Sequence, residues 1–210
     1  MRLILIIYFL LNPVFTTTAL SDWSLGDQAD IDSVESFFNT LDTFRAQFVQ
    51  TSPDGHYTEG WIWLQRPHYL RVEYAPPTNL LLVATGTFLI FFDQDIDQVS
   101  TFTYDVGPFR FLLKDKVDLT ADMIVNTIDR KTGLLRLTLV DEDDPTSGSV
   151  AVSFAEDPMI LVGWTVTDSE GLKTEITLHG PSFGLDLPTR LFRFTDQDRV
   201  RRNYRYGEYE

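Results

Sequence analysis

The feature that most constrains this chain is period-two alternation, set in short runs separated by turn residues. Within residues 44–74, Phe44, Ala46 and Phe48 fall on one face of an extended segment. Ile62, Leu64, Leu70, Val72 and Tyr74 form a second apolar set. Arg66 sits in the middle of that second set, directly before Pro67. Two readings are open for this cation. Either it escapes to the surface at a bend forced by the proline, or it points into an apolar concavity and needs a partner there.

The same pattern recurs along the chain. Residues 44–51 read as a strand, with a turn at Pro53 and Asp54, and residues 58–66 as a second strand that Pro67 interrupts or bends before alternation resumes over 68–74. Further strands are expected over 80–84, 87–92, 98–104, 123–130, 134–140, 150–154, 160–167, 172–179 and 191–194. The connections are too short for crossovers, so neighbours should be antiparallel. Helical spacing is confined to two places. Ile31, Val34, Phe38 and Leu41 recur behind Asp30 as a candidate cap, and residues 109–114 follow Gly107-Pro108 with Phe109, Leu112 and Leu113 on one side.

A wide antiparallel sheet of this many strands curls because strands twist, and its concave side must be filled. The expected fold is therefore mainly β: a single curved antiparallel sheet, an unclosed barrel, with the short helices lying across the concavity as a lid. The 16 Phe and 8 Tyr favour strands over a helical bundle, and 210 residues suffice for one domain with a real core.

Residues 1–19 have one charge, at Arg2, then an apolar run and a small-residue end at Ala19, the pattern of a secretory signal peptide. This divides the chain into a signal over 1–19, a domain over 20–198 and a charged tail over 199–210. The expected address is outside the cytoplasm. With no cysteine, the chain has no disulfide, no thiolate nucleophile and no cysteine to carry a lipid anchor. A net charge of −14 argues against nucleic acid, whose phosphates need a basic surface.

Catalytic signatures are weak. Residues 180–184 match G-x-S-x-G around Ser182, but a nucleophile elbow needs a helix to follow and a later histidine, whereas the last histidine is His179. A plain inter-strand turn is the better reading. His56, His68 and His179 lack metal-ligand spacing, and Asp93, Asp95 and Asp97 lack the glycine and distal glutamate of a calcium loop. No catalytic residue, metal or cofactor is expected. A curved sheet with a greasy interior, a lid and an export signal suggests a binder of an apolar ligand.

Several motifs, in order, carry a resemblance: Phe44, Phe48 and Gln50; Gly60 and the pair Arg66-Pro67; the strand 70–74; Phe91-Phe92-Asp93 and Gln98; Gly107-Pro108 before Phe111-Leu112-Leu113; and Phe192-Arg193-Phe194. Over residues 31–194 the chain resembles the periplasmic outer-membrane lipoprotein carriers, the LolA-like family. The resemblance implies an unclosed β-barrel with a helical lid, in the periplasm of a Gram-negative bacterium. It further implies a monomer that takes acylated lipoproteins from an inner-membrane ABC-type releasing complex and carries them towards an outer-membrane lipoprotein acceptor. It makes Arg66 a latch that bonds the lid backbone in the empty form. On this reading Phe48, Ile62, Leu64, Leu70, Val72 and Tyr74 line the acyl-chain cavity, and Phe38, Leu41, Phe109, Leu112 and Leu113 belong to the lid. The alternative is a periplasmic binder of a free lipid or glycolipid.

Overall fold

A computed structural model describes residues 23–103, 110–120, 123–195 and 198. The signal segment, the charged tail over 199–210 and Phe109 lie outside the described residues. The strands are β1 (Thr43–Thr51), β2 (Tyr57–Gln65), β3 (Tyr69–Tyr74), β4 (Leu80–Thr85), β5 (Phe88–Asp93), β6 (Gln98–Thr103), β7 (Met123–Lys131), β8 (Leu134–Asp141), β9 (Gly148–Ala155), β10 (Ile160–Asp168) and β11 (Lys173–Phe183). They form one sheet in the order β6-β5-β4-β3-β2-β1-β11-β10-β9-β8-β7. The order is two meanders joined where β1 pairs with β11, and it ends at β6 and β7, so the barrel is unclosed.

Helix α1 (Leu25–Thr40) starts before the expected residue 30. Ser24, not Asp30, caps it: the Ser24 hydroxyl accepts from the Asp27 backbone N–H while the Asp27 carboxylate accepts from the Ser24 N–H, two otherwise orphaned donors satisfied at once. Ile31, Val34 and Phe38 are buried on its inner side. Arg130 of β7 pairs with Asp27 and Asp30 near its start, and the Asn39 side chain exchanges hydrogen bonds with the Val117 backbone near its end. Helix α2 (Arg110–Leu113) is one turn long.

Alternation places the two faces correctly, because partners across a ladder share a face. The row Phe44, Leu64, Leu70 and Ala84 runs across β1 to β4 on the concave side, and Ala46, Ile62, Val72 and Leu82 form the next row. These residues pack with α1, Leu112, Leu113 and the inner residues of β7 to β11 in one cluster.

Of the two readings of Pro67, interruption holds and a bend does not: residues 66–68 form the turn of the β2–β3 hairpin, with Leu64 opposite Leu70. Two other expectations need correction. Residues 191–194 are not a strand, since a 3-10 turn (Thr189–Phe192) follows Pro188 and the chain lies across the convex face of the sheet. There Leu191 and Phe192 cover Trp63, and Phe194 meets Phe92 edge-on with ring centres 5.3 Å apart. Ser182 does not lie in a turn but in the end of β11, opposite Arg45. No helix among the described residues is long and apolar enough to cross a membrane.

Candidate functional site

A cavity of about 210 Å³ opens on the concave face, between β1 to β4 on one side and β10 and β11 on the other. Phe48, Ile62, Leu70, Val72, Tyr74 and Leu82 form the first wall, and Trp164, Val166 and Ile176 the second. The sheet curls enough for strands four apart in the order to face one another across it. Gln50 and Thr174 complete the lining.

Gly60 shapes this wall. It stands between Phe48 and Tyr74 in the row across β1, β2 and β3. A Cβ there would run into the Glu73 carbonyl and sit 2.8 Å from the Phe48 ring. Its absence lets Phe48 and Tyr74 meet edge-on, ring centres 5.1 Å apart. The Tyr74 hydroxyl donates to Gln50 Oε1 at 2.8 Å, and burial raises the phenol pKa above its ordinary value, so the ring stays neutral.

Leu64 does not line the cavity. It shares the concave face and the row of Leu70, but is buried between Phe44 and Leu70 in the packed cluster. Phe38 is fully buried against Phe154 with ring centres 5.7 Å apart, and Leu41 closes the end of α1. Leu112 and Leu113 are buried in the same cluster, while Phe109 lies outside the described residues.

Arg66 heads the β2–β3 turn at the opposite end of the strands from Gln50. It is neither turned fully to solvent nor aimed at the cavity. Its guanidinium is half-buried, and one terminal nitrogen donates to the Lys114 carbonyl at 2.8 Å, immediately after α2. In the same turn the His68 backbone N–H donates to the Leu113 carbonyl at 3.0 Å. The turn thus bonds the backbone of α2 and the residue after it. Arg66 Nε is buried without a hydrogen-bond partner. Desolvation lowers the guanidinium pKa, with Asp115 and Asp42 opposing, and the side chain remains a cation throughout the physiological range.

The residues that sequence reasoning missed are Leu82 and the far wall. Alternation shows which residues of β10 and β11 share a face, but only the β1–β11 pairing brings that face opposite β3. The local signal for Gln50 was a polar residue continuing the apolar set of β1.

Residues 39–195 match the family described as outer membrane lipoprotein carrier protein LolA. An outer-membrane lipoprotein carrier protein of Methylococcus capsulatus is 25% identical over 184 residues, covering 82% of this chain and 88% of that one. An uncharacterised protein of Rickettsia prowazekii, RP864, is 28% identical over 105 residues, and the match spans about half the length of each. Among solved structures, an uncharacterised conserved protein of Thermus thermophilus shares the fold with a TM-score of 0.52 and 11% identity, covering 82% of this chain and 96% of that one. With its whole sheet and its cavity inside the matched residues, this chain belongs to the LolA outer membrane lipoprotein carrier family.

Proposed function

We propose that this protein is a periplasmic carrier without catalytic activity, which shelters the acyl chains of lipoproteins between the inner and outer membranes. The observation that carries this reading is the uncharged concave cavity beside a roof of helices that is tied to the β2–β3 turn by one arginine side chain. Each methylene exposed to water costs about 0.8 kcal/mol, so a chain of ~15 methylenes left in solution costs on the order of 12 kcal/mol. A lipoprotein therefore crosses an aqueous compartment only with its chains covered.

A carrier must also let go. At about 210 Å³ the cavity is smaller than the ~300 Å³ at which ligand pockets usually begin, so a long chain needs further space, which the elements packed beside it, α1 and residues 112–119, must yield. The Arg66 bond to Lys114 O and the His68 bond to Leu113 O hold those elements down, so the empty, latched state competes with the loaded one. That competition lowers net affinity and favours delivery. We further propose that the chain acts as a monomer, loaded by an inner-membrane ABC-type complex and unloaded onto an outer-membrane acceptor.

The test is native mass spectrometry of the protein purified from the periplasm of cells expressing acylated lipoproteins. Complexes with mature acylated lipoprotein are expected. Free lipid or glycolipid in every loaded species, and never acylated protein, would replace the carrier with a binder of small lipids.

A further inference from the structure

The chemistry at the cavity wall is one-sided. No side chain that lines it is charged, and besides the indole N–H of Trp164 its polar side-chain groups are those of Gln50, Tyr74 and Thr174. Gln50 is opposite Ile176 across β1 and β11, and Thr174 is two residues before Ile176 on the same face, so all three belong to one end of the strands. Because the Tyr74 hydroxyl donates to Gln50 Oε1, the amide hydrogens of Gln50 remain to serve a further acceptor. Arg66, the nearest cation of the β2–β3 turn, is at the other end of these strands and committed to Lys114 O.

We infer that this cavity selects acyl chains whose head linkage is an uncharged ester or amide and discriminates against free fatty acids, with the Gln50–Tyr74 pair receiving the linkage carbonyl. This rests on the acyl-chain reading above. An ester or amide carbonyl needs one or two donors, which a carboxamide supplies. A carboxylate brought to the same wall leaves water for neutral donors with no counter-cation, which is far more costly. The net charge of −14 opposes the anion a second time, before it arrives. The discrimination also suits a carrier in an envelope: free fatty acids of the same chain length would otherwise occupy it.

The experiment compares a dibrominated stearic acid with its glycerol monoester, each below its aggregation threshold, at about pH 8, where the acid is ionised. Bromine in the chain quenches tryptophan fluorescence, and Trp164 is in the cavity wall. The monoester is expected to quench at concentrations at least about tenfold lower than the acid. Gln50→Lys, and independently Thr174→Lys in case the first variant folds poorly, should move the ratio at least about tenfold towards the acid by supplying the missing cation. Equal binding of acid and ester by the native protein, or an unchanged ratio in both folded variants, overturns the selectivity while leaving the carrier intact. Quenching by neither ligand overturns the acyl-chain reading and this inference together.

Discussion

Two arginines five residues apart on the same hairpin are held in opposite ways. Arg71 is on the convex face of β3 and only 2% exposed. Its Nε donates to Glu73 at 2.6 Å, one terminal nitrogen to Asp198 at 2.7 Å and the other to the Leu191 carbonyl at 3.2 Å. Asp198 in turn accepts from the Thr195 backbone and hydroxyl, which closes the end of the strap over Trp63 and Phe92. Arg66, at the turn, is half-buried, makes one side-chain hydrogen bond to a neutral carbonyl and leaves a buried N–H unanswered. A charge inside a fully answered network is expensive to disturb. One that is incompletely answered exchanges its partner cheaply. The first arrangement fastens a segment; the second is the one that, on the proposed reading, a ligand undoes.

The comparison fails first if Arg71 proves dispensable. Arg71→Met should destabilise the protein by about 3–5 kcal/mol in urea unfolding, because it leaves Asp198 and Glu73 as poorly compensated carboxylates under the strap. Asp198→Asn keeps the shape and some hydrogen bonds, so about 1–3 kcal/mol is expected by the same measurement. Arg66→Leu should change stability by no more than about 1 kcal/mol, since the lost bond is offset by removing a half-desolvated cation and an unanswered N–H. An Arg66→Leu loss as large as that of Arg71→Met would erase the distinction.

The smallest effect sharpens the contrast with a third, exposed arginine. Arg130 ties the start of α1 through Asp27, whose carboxyl is held below its ordinary pKa first by the Ser24 hydroxyl and then by Arg130. A carboxyl with a lowered folded pKa gives its full contribution above the unfolded value of about 3.9 and loses it as pH falls through the folded value. Acid titration of stability should therefore show a shallow loss below about pH 4 that Asp27→Asn diminishes. A loss near neutral pH would point to other groups.

Much of the fold was legible because alternation is local. The rows Ala46–Ile62–Val72 and Phe44–Leu64–Leu70 follow from period two and two tight turns. Non-local facts were hidden. Leu64 and Leu70 look alike in sequence and are partners in one row, yet only Leu70 reaches the cavity, because α1 and residues 112–119, distant in sequence, set which part of that row is packed over. Arg71 has the alternation of a solvent-facing strand residue. What buries it is a segment more than a hundred residues away, whose Phe192-Arg193-Phe194 pattern reads as a strand although the chain there runs as a turn and strap. The start of α1 is hidden for a different reason: its first turn has almost no apolar residues, so the capping box of Ser24 and Asp27 is its local signal.

The central claim, that Arg66 is a releasable latch over an acyl-chain cavity, is tested most directly by the rate at which a fluorescent triacylated lipopeptide leaves the protein for acceptor vesicles. Loaded Arg66→Leu protein should bind the lipopeptide as readily as the native protein and release it up to about fivefold more slowly, the factor that a net loss of about 1 kcal/mol in the competing latched state gives. Release by Arg66→Leu at the native rate would contradict the account.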